Sequence, residues 1–98
     1  DCVGTNLRGC NFTNATFENV IFHAALLDGA RFSGARFNNC YFVSTGIKGT
    51  KDFPEDLSGI TFMDKMPSEA DFSTEIISVV ELLRSNDMIR RSRNCHPV

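Results

Sequence analysis

Missing from this 98-residue chain is any apolar run near the roughly 18 residues that a membrane-spanning helix needs, so no membrane partner is expected of it. A signal-like segment is missing too, and the first residue is not Met, so the chain reads as a piece of a longer protein. Charge of one sign is scarce: the net charge is −2 and the pI about 5.6. That balance argues against nucleic-acid wrapping and against electrostatic attachment to a membrane. Histidine is limited to His23 and His96. With no carboxylate pair, Ser/His/Asp set or phosphate loop in view, the chain is not expected to be an enzyme or to hold a metal or cofactor. The four cysteines, Cys2, Cys10, Cys40 and Cys95, show no CxxC or Cys/His ligand spacing. They are read as free, mostly buried thiols. Asn11-Phe12-Thr13 and Asn14-Ala15-Thr16 match the glycosylation pattern, but such tripeptides are common and carry no inference of secretion.

Phenylalanine, by contrast, is present in a fixed spacing. Counting every fifth position from Leu7 gives Leu7, Phe12, Phe17, Phe22, Leu27, Phe32, Phe37, Phe42 and Ile47, all large and apolar. The series fails at Asp52 and resumes at Leu57 and Phe62. Two residues earlier runs a mostly small series that includes Cys10, Ala15, Ala25, Ala30, Ala35 and Cys40. Two residues later come Gly9, Asn14, Asn19, Ala24, Gly29, Gly34, Asn39, Ser44 and Gly49, rich in residues that tolerate positive φ. Residues two apart on extended backbone face the same way. The small and large residues therefore point inward, and the turn after each short extended piece bends the chain into a solenoid.

Residues 5–49 read TNLRG CNFTN ATFEN VIFHA ALLDG ARFSG ARFNN CYFVS TGIKG. This resembles the pentapeptide-repeat proteins, whose repeat is approximately A(D/N)LXX, with Phe here replacing the commoner Leu at most centres. The resemblance implies a mainly β fold, a right-handed quadrilateral parallel β-helix with four repeats per coil. About three coils are expected over residues 1–64, irregular at 50–56, followed by a C-terminal helical segment within 65–98. Residues 20 apart then stack in columns, and the columns sort by type: Leu7, Leu27 and Ile47 on one face, Phe17, Phe37 and Leu57 on another. Asp52 would put a charge in a Phe column. Lys51–Glu55 is therefore expected to bulge outward, with Phe53 turning in. Cys10 and Cys40 fall on opposite faces, so no disulfide between them is expected.

Three outer walls carry polar and charged residues. The fourth carries Ile21, His23, Tyr41, Val43, Thr61 and Met63, and an apolar outer wall asks for a cover, either a partner or the rest of the chain. Ile21, His23, Tyr41, Val43 and Met63 are the candidate interaction or helix-covered wall. Beyond Met66-Pro67-Ser68, Ala70–Thr74 reads either as one more repeat or as the opening of a helix. From Glu75 onward Ile76, Val79, Val80 and Leu83 continue a helical stripe begun at Phe72. Residues 68–89 are expected to cap the C-terminal end, to cover the fourth wall, or to form a homodimer through the helix. Arg90-Arg91-Ser92-Arg93 reads as a solvated end.

The expected function is a non-catalytic structural or protein–protein interaction module, with an unidentified protein partner. The resemblance adds that such modules also sit inside larger proteins, including bacterial effectors secreted into host cells. The location is accordingly cytoplasmic, or that of a bacterial protein secreted into a host. The alternative is a DNA-mimic inhibitor or protector of DNA gyrase. A mimic needs phosphate-like charge along its length. Residues 1–64 hold seven acids (Asp1, Glu18, Asp28, Asp52, Glu55, Asp56, Asp64) against five bases (Arg8, Arg31, Arg36, Lys48, Lys51).

Overall fold

The computed structural model describes residues 5–66, 76–79 and 82. Its elements are short strands: β1 (Thr16–Glu18), β2 (Val20–His23), β3 (Arg36–Asn38), β4 (Cys40–Val43), β5 (Ile60–Met63) and β6 (Ile77–Ser78). Every pairing between them is parallel. β1 pairs with β3, and a second sheet runs β5-β4-β2-β6.

The register is 20 residues. Thr16 faces Arg36, Phe22 faces Phe42, and Phe42 faces Phe62. Isolated bridges extend it to the other two walls, Asn6 with Leu26, and Asn11 with Arg31 and then Lys51. Four strips of ladder, each advancing by 20, make a β-helix with four walls. Between the strips the chain turns, and all nine Gly, Asn, Ala and Ser positions expected at the corners have positive φ, from 50° at Ser44 to 87° at Gly49. Gly and Asn adopt this conformation at little cost, whereas Ala24, at φ 54°, has neither their freedom nor a compensating side-chain group.

Inside, aromatic rings fill the columns. Phe17 and Phe37 stack at 5.2 Å with planes 12° apart, and Phe12 and Phe32 stack at 5.2 Å. Within one turn the rings meet edge to face, as Phe12 with Phe17 and Phe17 with Phe22, each at 5.3 Å. Both geometries suit the ring quadrupole. Phe12, Phe22, Phe32 and Phe42 have no exposed surface. At the break in the series Lys51 still pairs with Arg31, while Asp52 takes φ 57° and is exposed. Phe53 then enters the core, 5.0 Å from Phe32 and 5.4 Å from Phe37. One residue of slip thus keeps a charge in water and a ring in the column.

The C-terminal segment departs from expectation at Ile77–Ser78. Glu75 onward was to be helical, yet Ile77–Ser78 is a strand, β6. It pairs with β2 in the register Val20 with Ile77 and Ile21 with Ser78, and the Ile77 N–H donates to Asn19 O at 2.9 Å. The cause is the edge of β2, whose backbone groups need partners on the side away from β4. A helical stripe in the sequence does not reveal that demand. Val79, next along, is 1% exposed and joins the core, with Leu82 packed partly against it. These residues sit at the start of the β-helix rather than at its C-terminal end, so they close the first turn and not the last. The remaining residues expected to form the helix lie outside the described residues.

Two substitutions probe this packing. A Cβ at Gly59 would collide with the carbonyl of Phe37, a backbone atom that cannot swing aside. Gly59→Ala is expected to cost about 1–3 kcal/mol in urea unfolding, as overpacking does. Ala24→Gly should instead stabilise by about 1 kcal/mol through relief of the left-handed corner, seen as a Tm rise of roughly 4 °C or more.

Candidate functional site

The outer wall built on β2, β4 and β5 collects the candidate residues into one sheet. Strand alternation turns Phe22, Phe42 and Phe62 inward, so their flanking neighbours face out. Ile21 lies beside Tyr41, and Tyr41 beside Thr61. His23 lies beside Val43, and Val43 beside Met63. Burial across this wall is uneven. Val43 is wholly buried and Ile21 is 9% exposed, although both face outward. His23, Tyr41 and Met63 are half-buried, and Thr61 is exposed.

The other walls present polar side chains. Arg8, Asp28 and Lys48 are exposed on the first, Arg31 and Lys51 on the second, Arg36, Glu18 and Asp56 on the third. Asn and Asp at the place before the inward residue make local turns. Asn6 Oδ1 accepts the Arg8 N–H and Asn11 Oδ1 the Thr13 N–H, each at 3.1 Å. Asp56 Oδ1 accepts the Ser58 N–H at 3.0 Å, and that bond holds the Asp56 carboxyl below its usual range. At the corners the ladder continues in side chains, with Asn39 Nδ2 donating to Asn19 Oδ1 at 2.9 Å. These walls are rigid arrays of hydrogen-bonding groups at fixed spacing.

The cysteines divide. Cys40 is free and buried in the small inward column, between Val20 and Ile60. Its thiol lies 3.3 Å from the carbonyl of Phe17 and 3.4 Å from that of Asn38, donating to them. Burial raises its pKa, more than the nearby backbone hydrogen bonds lower it. Cys10 is also buried, but it is disulfide-bonded, which corrects the expectation of a free thiol there. Cys40 being free, its partner is not Cys40 and lies outside the described residues. Among the described residues no group of three or more His, Cys, Asp and Glu could hold a metal ion.

An apolar surface that sequence reasoning missed lies where the regular coils stop. Leu57 is 38% exposed and Phe62 44%, although both occupy inward places of the repeat. Phe37, Ile47 and Phe53 behind them are only half-buried. The signal was available in the spacing, because no uninterrupted repeat follows Phe62 to cover these columns. Leu26, 40% exposed, is an isolated apolar residue on a polar wall. A family model described as Pentapeptide repeats (9 copies) matches residues 3–46. No curated protein and no solved structure matches the chain.

The buried thiol gives a direct test of the inward column. Its folded pKa is raised, so the unfolded chain loses the thiol proton first as pH climbs. The stabilisation from keeping Cys40 neutral is complete below the ordinary thiol range and fades as pH rises toward the folded value. Cys40 should therefore resist thiol reagents at neutral pH until the protein unfolds, and Cys40→Ala should flatten the alkaline loss of stability. Fast labelling of Cys40 in the folded protein would contradict the arrangement.

Proposed function

With nine pentapeptide repeats over residues 3–46, this chain is a pentapeptide-repeat protein, and we propose that it serves as a non-catalytic, rigid protein-interaction module. The family is generally a non-catalytic interaction module of this kind. The observation that carries the reading is the exposure of Leu57 and Phe62 at the last turn. Inward-type residues left open at the end of a stack form a flat apolar surface, beside the outer edge of β5. A protein partner gains there in two ways, by covering the rings and by pairing with strand backbone. The same geometry serves a module within a larger, effector-like protein, whose neighbouring region would seat on that end.

The fourth wall is the less accessible choice, since Ile21 and Val43 are already buried. Its more open margin, at Thr61 and Met63, adjoins Phe62 and extends the same surface. Mimicry of DNA draws less support, because Arg31, Arg36 and Lys51 stand exposed among the acids. Inhibition of supercoiling by the isolated chain would reverse that ranking.

The test is the double variant Leu57→Ser with Phe62→Ser. Partner capture should weaken by about 10-fold or more if these are anchor residues, with far-UV circular dichroism unchanged. Capture equal to wild type by the folded variant would remove this end as the interaction surface.

A further inference from the structure

We propose that a cleft in the first wall, between the second and third turns, binds a primary carboxamide, the group carried by glutamine and asparagine side chains. The site is separate from the apolar end at Leu57 and Phe62. The argument begins with a gap in the ladder. Between the first and second turns this wall is bonded: the Leu7 N–H donates to Leu26 O at 2.9 Å, and the Leu26 N–H to Thr5 O at 2.8 Å. Twenty residues on, the equivalent bonds would join the Leu27 N–H to Gly46 O and the Gly46 N–H to Ala25 O. Among the described residues neither bond forms, and no bridge joins Leu26 to Gly46. The second and fourth walls keep their ladders at this level, with Arg31 beside Lys51 and Phe42 beside Phe62.

Thr45 marks the origin of the gap. Corners such as those after Phe12 and Leu27 close on themselves, the Ala15 N–H donating to Phe12 O at 3.0 Å and the Ala30 N–H to Leu27 O at 2.9 Å. The Ala25 N–H instead donates to Thr45 Oγ1 at 3.0 Å, and that hydroxyl donates to Phe22 O at 2.8 Å. A side chain of the third turn thus stands within a corner of the second. The opening is shut at both ends, by the Ala24 N–H on Val43 O and the Gly29 N–H on Gly49 O, each at 2.8 Å. A strand of another chain cannot run through it, so a guest enters end-on from solvent.

The chemistry of the lining selects the guest. The cleft holds about 480 Å³, enough for a small ligand or one side chain. Its backbone edges offer two donors, the N–H groups of Leu27 and Gly46, and two acceptors, the carbonyls of Ala25 and Gly46, and such groups need partners. A carboxylate only accepts and an ammonium only donates. A primary carboxamide does both, and so replaces the missing peptide pair. Asp28 and Lys48 also line the cleft, and their charges cancel, which favours a neutral head group. Leu26, 40% exposed in the same lining, covers the apolar stem behind it. A Cβ at Gly46 would meet nothing within 4 Å, so the third turn leaves the mouth open.

Amide NMR of the wild-type chain tests this, with free glutamine and N-acetyl-glutamine N-methylamide as probes and the matching glutamate compounds as controls. The glutamine probes should shift the Leu27 and Gly46 amides saturably, and the glutamate forms should bind about 10-fold or more weakly. Gly46→Val, which places a branched side chain at the mouth, should abolish the shifts while the other amides stay in place. Equal binding of the blocked and free forms supports a glutamine side chain on a protein as the guest. Tighter binding of the free form supports the amino acid itself, with its ammonium on Asp28 and its carboxylate on Lys48. Equal binding of glutamate and glutamine would overturn the proposal. So would unmoved Leu27 and Gly46 amides, which would mean that the cleft holds water only, or a through-bond coupling from the Leu27 N–H to the Gly46 carbonyl, which would mean that the ladder is closed.

Discussion

The backbone of each turn must hydrogen-bond to the backbone 20 residues further on, and that constraint places nearly every side chain in the array. Parallel ladders satisfy the polar groups of strands too short to fold alone. They also fix neighbouring turns about 4.8 Å apart, close to the distance at which aromatic rings stack. Phenylalanine at the inward place therefore meets two demands at once, filling a column and bridging to the next wall edge to face. Asp52 shows how strictly the column is kept. The chain accepts a left-handed residue and one slip in spacing rather than bury a carboxylate, and Phe53 takes the vacant place.

A stack of parallel turns has two ends, each with open strand edges and open columns. The two ends of this molecule are treated differently. At the first, β6 pairs with β2 and Val79 enters the core, so a segment far along the chain finishes the turn that the chain begins with. At the last, Leu57 and Phe62 remain in partial contact with water. That asymmetry sets an end closed by the chain's own β6 apart from an end whose apolar columns stay partly open. It follows from where the C-terminal residues go, and not from the repeat.

Much of this was legible in the residues. The interval of five set the walls, the interval of 20 set the columns, and Gly or Asn two places after each large residue marked corners that have positive φ. Burial of Phe12, Phe22, Phe32 and Phe42 follows from the same count. What could not be read was non-local. Ile76 to Leu83 carries a helical stripe, and only the open edge of β2, some 55 residues earlier, makes a strand of Ile77–Ser78. The state of Cys10 was hidden for a similar reason, since its sulfur is bonded to a residue that the repeat does not align with it. The candidate wall was legible as apolar, outward-facing and in need of a cover, but its unevenness, with Ile21 and Val43 buried and Thr61 exposed, was not, because the repeat gives every turn of the wall the same place.

Solution NMR of the chain tests the central claim most directly, by locating Ile77. Cross-relaxation is expected between the Ile77 amide and the backbone protons of Asn19 and Val20, as adjacent parallel strands require. Contacts from Ile77 to Phe62 or Leu57 instead would put the segment on the other end of the β-helix and contradict it.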